Sequence, residues 1–335
     1  MKWSQPVESS APGPAPTTVE VASALLTRVD HGALRTYGQS RRFIRGAVYS
    51  GDGRLVPESQ KLAPPGYPWV HADADRAKPP ARSVPLSGNW LYGGHWAQHF
   101  GHFLIETMPT LWPSVGQLDG IVFHKYLRRP WSVTEWQREL LGALGLADLP
   151  IEVVDRRPYL VERLVVPSRA VVPNAFVHPE ALAVWQRIRA PYVDTTSTNR
   201  LYLSRTRHNA ETRASGKGRP PRTSKTRDLE LDATFGHAGF EVCFPEQLSL
   251  SHQFRLVANA DVIAGLSGSA LHMTAVAKPD VHVIEVGDRR SANRPSSMQV
   301  AIDRAYRRNT KFFEHSTTAR SLGRGVASLL RHVDR

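Results

Sequence analysis

Apolar and polar positions along this chain fall into short runs of two alternating kinds. Strand-like runs are predicted at Phe43–Tyr49, Trp69–His71, Ile121–Phe123, Ile151–Val154 and Leu164–Val166, with Gly and Pro between them. Helical spacing is predicted over residues 96–108, Thr134–Leu146 and Pro179–Arg189. Pro109 should end or kink the first of these helices. From Asn199 onward the alternation tightens. Arg200–Leu203, Phe240–Phe244, Asp261–Ala264 and Val281–Val286 read as strands. Leu229–Ala238 (capped by Gly239), Leu250–Ala258 and Ser269–Ala277 read as helices. Residues 206–227 are polar and show neither period. Repeated βα units with short links imply an α/β fold with mostly parallel sheets. The expected division is a disordered segment 1–18, rich in Pro, Ala, Ser and Thr, then α/β domains over 19–198 and 199–310, and a basic C-terminal helix or tail over 311–335.

Composition narrows the class. With 335 residues, 41% apolar and 22% charged, the chain reads as globular. The one cysteine, Cys243, can form neither an internal disulfide nor a thiolate metal site, and its strand setting suggests a buried, inert thiol. Met1–Val19 holds four prolines and no apolar core of a leader, and no run suits a membrane span, so a cytoplasmic protein is expected. The net charge of +13 is concentrated: residues 200–227 carry nine Lys and Arg against one acid, and residues 289–335 carry eleven against three. Two basic segments point to anionic partners such as nucleotide phosphates or an anionic membrane surface, to which the C-terminal segment could hold the protein peripherally. The stretch 200–227 has few aromatic residues and no nucleic-acid recognition motif, so no nucleic-acid partner is expected.

The run Gln98–Trp112 carries the first candidate chemistry. His102 and Glu106 stand four apart in the predicted helix and share a face, an imidazole and a carboxylate suited to proton transfer near neutral pH. Phe100, Phe103, Leu104, Ile105 and Met108 make the surroundings apolar. His95 and His99 extend the same spacing, as a zinc site, as pocket-lining groups or as satisfied core histidines.

The second candidate is Val262–His272, where a strand runs through Gly265-Leu-Ser267-Gly268-Ser269 into a predicted helix, a turn suited to an anion. Ser204, Arg205 and Arg207 end another strand of the same predicted sheet, where ligands of open α/β sheets bind, and an arginine there can clamp phosphate. Glu285, at the end of Val281–Val286, is placed either for hydroxyl recognition on a ribose or sugar or for a structural cap. Gly265-Leu-Ser-Gly-Ser269 misses the hydrolase nucleophile elbow by one residue, which leaves a Ser267-dependent hydrolase as a minor alternative. Asp73-Ala-Asp75 matches a short metal signature or marks a polar loop.

In order and spacing these segments resemble glycosyltransferase family 61, whose bacterial members include capsular-polysaccharide biosynthesis proteins. His102, Glu106 and Pro109 are in register with that family's Asn-x-x-His-x-x-x-Glu-x-x-Pro motif, with His99 at the asparagine position. Leu201-Tyr-Leu-Ser-Arg205 matches its Ser-Arg strand end, and Gly239-Phe-Glu-Val242 with Pro245-Glu246 its Gly-Phe-x-Val strand. Gly265–Leu271 with Val283-Ile-Glu285 stands where the family has Gly-x-His-Gly-Ala-Gly-Leu and Val-Ile-Glu, and Ser267 replaces the histidine. The resemblance implies a GT-B-like fold of two Rossmann-like domains. It also implies inverting sugar transfer from a nucleotide sugar, often a UDP-sugar, to a saccharide or lipid-linked glycan acceptor. His102, backed by Glu106, is then the expected base, and Ser204, Arg205, Gly265, Ser267, Gly268, Ser269 and Glu285 the expected donor site, with no metal required. A scaffold homologue that has lost donor binding is the alternative.

Overall fold

The computed structural model describes residues 15–28, 46–60, 82–126, 130–173, 175–194, 199–216, 220–308 and 310–333. The expected strand at Trp69–His71, the pair Asp73 and Asp75, and most of segment 1–18 lie outside them, and Phe43–Tyr49 is described only from Gly46. The chain divides into two compact units, the division falling between Ile188 and Arg189.

The unit before that division is built on a six-stranded mixed sheet. Its strands are β1 (Thr18–Arg28), β2 (Gly46–Tyr49), β3 (Val84–Trp96), β4 (Gly120–Lys125), β5 (Ile151–Val154) and β6 (Tyr159–Pro167), in the order β2-β1-β6-β3-β4-β5. β6, β3, β4 and β5 run parallel, while β1 is antiparallel to both of its neighbours. A short hairpin follows from β7 (Val171–Val172) and β8 (Phe176–Val177). The helices are α1 (Phe100–His102), α2 (Glu135–Gly142) and α3 (Pro179–Arg189). Val21, Leu26, Tyr92, Val122, Val161 and Leu164 pack together in one face of the sheet.

β3 is thirteen residues long and central, yet no strand is predicted over its glycine-rich sequence Ser87-Gly-Asn-Trp-Leu-Tyr-Gly-Gly-His95. The glycines serve two bulges. The register against β6 shifts between Leu86 and Asn89, and the register against β4 between Tyr92 and His95. At the second bulge Gly94 has φ +78, a conformation disfavoured for L residues. At Gly93 a Cβ would stand 2.0 Å from the Phe123 ring. Gly93→Ala is therefore expected to lower stability by about 1–3 kcal/mol through overpacking, measurable as a lower urea midpoint; an unchanged midpoint would mean the bulge tolerates a side chain.

The bulge also corrects the predicted helix over residues 96–108. Trp96 still belongs to β3, and helical structure begins only at Phe100. His95 is thus a strand residue and shares no helix face with His99 or His102. The helical segment changes type twice, from α1 to a π segment, Phe103–Thr107, and then to a 3₁₀ turn, Met108–Leu111. Pro109 accounts for the second change. In the π pattern the Leu104 carbonyl would take its hydrogen bond from residue 109, which has no N–H. Trp185 Nε1 of α3 donates to that carbonyl instead, at 3.0 Å.

The second unit contains a fully parallel five-stranded sheet. β9 (Asn199–Leu203), β10 (Glu241–Cys243), β11 (Ala260–Leu266), β12 (His282–Val286) and β13 (Lys311–Phe313) lie in the order β10-β9-β11-β12-β13. The chain steps outward from β9 to β10, then returns past β9 to β11, so the strand order reverses at the β9/β11 pair. Its helices are α4 (Thr206–Ser215), α5 (Lys225–His237), α6 (Leu250–Asn259), α7 (Ser297–Tyr306) and α8 (Ala319–Val333). α4 falls in the stretch predicted to lack regular structure. It has no apolar stripe; it is held by Asn209 and Arg213, whose side chains bond to the buried carboxylate of Asp228 in α5 (Asn209 Nδ2 to Oδ1, 3.1 Å; Arg213 Nη2 to Oδ2, 2.7 Å). The helix predicted at Ser269–Ala277 is a six-residue 3₁₀ segment, Leu271–Val276, buried throughout. α8 lays Leu322, Val326, Leu329 and Leu330 into the core beside Leu231 and Phe235 of α5.

Candidate functional site

In the first unit the junction of α1 and the π segment brings two of the expected residues together. His102 Nδ1 and a Glu106 carboxylate oxygen form a very short hydrogen bond. An ionised carboxylate only accepts, so Nδ1–H donates and the neutral imidazole keeps its lone pair on Nε2. The side chain of His102 is 38% exposed and that of Glu106 only 13%, so the carboxylate lies inside and the imidazole toward solvent. The exposed His99 packs its ring edge-on against His102 at 5.4 Å.

Behind Glu106 lies a group that periodicity could not reveal. Arg169, in the turn after β6, is buried, donates from Nη1 to Thr110 Oγ1 (3.0 Å) and from Nη2 to His95 Nδ1 (2.9 Å). A guanidinium has no acceptor, so His95 must accept at Nδ1 and carry its proton on Nε2. The guanidinium also interacts electrostatically with Glu106. Gly94 makes this approach possible, since a Cβ there would stand 2.4 Å from Arg169 Nη1. His95, Ala97, Glu106, Thr107, Tyr126 and Arg169 line a cavity of about 10 Å³, the size of one water. Tyr92, His124 and the Thr27 carbonyl form a separate buried chain in which burial pushes His124 down to about 3, so that it stays neutral.

The second unit treats the expected donor residues unequally. Gly265 is inside β11, paired with Glu285 and Leu203, and a Cβ there would meet only ordinary contacts. Ser204 spends its hydroxyl on Asp232 Oδ1 (2.7 Å) while its oxygen takes the Thr206 N–H (3.1 Å) at the start of α4. Ser267 is buried and donates to Glu285 Oε1 (2.7 Å), so its proton goes to a carboxylate, not to the imidazole a hydrolase nucleophile would use. Glu285 is fully buried; the same Oε1 accepts the Ser296 N–H (3.0 Å) and Oε2 has no partner among the described residues. Burial pushes this carboxyl up to about 7, against the two hydrogen bonds that favour its ionised form. Ser204, Ser267 and Glu285 therefore shape the turn from within, and the hydroxyl recognition expected of Glu285 does not fit its burial.

What reaches the surface of the turn is positive charge. Gly268, with φ +145, stands between two guanidiniums, and a Cβ there would lie 3.3 Å from both Arg205 Nη1 and Arg222 Nη1. Ser269, beside it, is half-buried. Arg222 is tied to Asp288 (3.0 Å) and to the Ser267 carbonyl (3.2 Å). Arg205 has no side-chain hydrogen bond or ion pair among the described residues, and burial and the charge of Arg222 both weaken its hold on its proton. Because Leu271–Val276 is a short 3₁₀ segment, the expected helix-terminal field is replaced by these two side chains. Arg205 and Gly268 follow β9 and β11, the pair at which the strand order reverses, where open α/β sheets bind ligands. Arg222 was legible only as one cation among nine. No group of three or more His, Cys, Asp or Glu among the described residues is placed to hold a metal ion, so His95, His99 and His102 form no zinc site.

The first unit thus holds a carboxylate-backed imidazole, and the second a guanidinium pair at the switch point of its parallel sheet. The model of the family described as Glycosyltransferase 61 matches residues 100–284, more than half of the chain, and the chain belongs to that family. It is a glycosyltransferase, acting with a nucleotide-sugar donor and a glycan acceptor. A search of curated proteins finds no match.

Proposed function

We propose that this protein transfers a sugar with inversion from a nucleotide diphosphate sugar, a UDP-sugar in the first instance, to a saccharide hydroxyl in polysaccharide or cell-surface glycan biosynthesis. The observation that carries the reading is Arg205, a largely enclosed cation with no side-chain hydrogen bond or ion pair among the described residues, set beside Arg222 at Gly268. Two like charges held this close favour an anion between them, and a diphosphate supplies one. His102 Nε2 takes the proton of the acceptor hydroxyl, and Glu106 orients the ring and stabilises the imidazolium. The acceptor oxygen bonds to the anomeric carbon as the bond to the diphosphate breaks. The electron pair goes to the leaving phosphate oxygen, whose charge Arg205 and Arg222 offset. The GT-B-like arrangement of two domains is part of this proposal.

Thermal-shift titration with UDP-, GDP- and CDP-sugars tests donor binding, since a ligand at 100 times its Kd stabilises by about 2.7 kcal/mol. No shift with any of them would favour a scaffold that has lost its donor. Arg205→Ala should weaken UDP binding at least about tenfold in calorimetry, the loss of one charge-assisted contact; unchanged affinity would remove Arg205 from the donor site.

A peripheral location on an anionic membrane, as for a lipid-linked acceptor, would have to rest on charge. No helix among the described residues is long and apolar enough to cross a membrane, and α8 spends its apolar face on the core. Arg320, Arg324 and Arg331 of α8 are exposed. Flotation with anionic liposomes should therefore decline as salt is raised; flotation that ignores salt and lipid charge would count against this attachment.

A further inference from the structure

A second basic site lies in the same unit and is used by nothing described above. Ser224, Thr226, Arg227, Glu230, Arg289 and residues 315–319 enclose a pocket of about 380 Å³, within the range of small-molecule sites. Arg289 follows β12 and is exposed, and His315 follows β13, so the pocket opens among the loops at the carboxyl ends of the strands. The Arg227 side chain is only 11% exposed. Its Nη2 donates to the Thr317 carbonyl (2.8 Å), while Nε is buried with no partner among the described residues. His315 Nδ1 is buried in the same condition. Of the lining residues only Glu230 is acidic; it meets Arg227 at a loose 3.5 Å and is half-exposed, while the neighbouring Glu314 accepts from Ser316 Oγ at 3.5 Å. The balance of charge is positive before hydroxyls are counted. Two long helices, α5 and α8, begin in the pocket wall and add the positive ends of their dipoles.

We propose that this pocket binds a phosphate group, held by Arg289, Arg227 and His315 with hydroxyls of Ser224, Thr226 and Thr317 completing the contacts. It is linked to the turn through Arg222, whose carbonyl accepts from the Arg289 N–H (3.3 Å) and whose guanidinium stands at Gly268. The phosphate could be part of a nucleotide that also occupies the turn, or belong to a separate phosphorylated ligand; the chemistry recognised is the same. The inference does not depend on sugar transfer.

The full chain is titrated by calorimetry with inorganic phosphate and, separately, with UDP. Phosphate binding should persist in Arg205→Ala and fall at least about tenfold when Arg289→Ala and His315→Gln are added. Both added substitutions are at or near the surface, and an unchanged melting temperature without phosphate shows that the variant is folded. If UDP affinity falls in Arg205→Ala and also in Arg289→Ala/His315→Gln, the pocket serves the nucleotide at the turn. If UDP responds only to Arg205→Ala while phosphate responds to the pocket pair, the pocket takes a separate ligand. Phosphate affinity unchanged by the pocket pair, or no phosphate binding by the wild type, overturns the proposal. A protein that binds phosphate here but no UDP would instead fail the donor reading alone.

Discussion

His102→Ala is expected to lower kcat by about 10²- to 10⁴-fold, the usual contribution of a positioned base and equivalent to about 3–5 kcal/mol of barrier. Donor KM should stay near the wild-type value, because the imidazole contacts the acceptor and not the diphosphate. Glu106→Gln separates orientation from charge. Glutamine can still accept the Nδ1–H bond, so the ring keeps its orientation, but the imidazolium formed during transfer loses its counter-charge. Its kcat should fall as well, by less than in His102→Ala. Neither side chain belongs to the buried aromatic cluster beside them in sequence, in which Trp96 packs on Phe103 at 5.2 Å and on Phe123 at 4.9 Å. Far-UV CD and melting temperature should therefore be close to wild type. Wild-type turnover in His102→Ala would take the dyad out of the chemistry, and unfolding of either variant would make the pair structural.

The second large effect concerns pH and stability in the C-terminal unit. Glu285 has its carboxyl raised from 4.5 to about 7, chiefly by burial, so the folded state prefers the protonated form. Stability from this preference is fully present below the unfolded value of 4.5 and is lost as pH rises through about 7. The interval corresponds to about 3 kcal/mol. Asp303, also raised by burial, to about 6, adds a trend of the same sign. Glu285→Gln keeps an acceptor for Ser267 and Ser296 and cannot ionise. The loss of stability between pH 5 and pH 8 should thus be about 3 kcal/mol smaller in the variant than in the wild type, measured by urea unfolding at each pH. Equal slopes would show that Glu285 does not titrate in this range. The comparison uses the pH difference because an amide in place of Oε2 shifts the absolute value by itself.

The parts of the fold that were legible are those where one local rule dominates. Pro179–Arg189 stands as its periodicity predicts, because Ala181, Val184, Trp185 and Ile188 form one buried face, and Ile151–Val154 stands as a short apolar run ending in two buried valines. β3 was illegible because its bulges require glycines, and glycines read as loop. α4 was illegible for the opposite reason: a buried polar network around Asp228 holds it in place of an apolar stripe. The helix expected after Gly268 failed because Leu271–Val276 is buried on every side, where core packing overrides α-helical spacing.

The sequence by itself determined the family, the His102–Glu106 pair and the presence of a basic glycine turn after a strand. Those features depend on residue types at short spacing, which local geometry preserves. Only the tertiary structure decided which groups stand behind them. Arg169 reaches Glu106 and His95 across 63 and 74 positions of chain, and Arg222 joins Arg205 at Gly268 because β9 and β11 became neighbours. It also turned Ser267 and Glu285 inward. Strand order sets which loops share a rim, and burial sets which of their polar groups can still meet a ligand; neither is encoded at the range over which sequence periodicity acts.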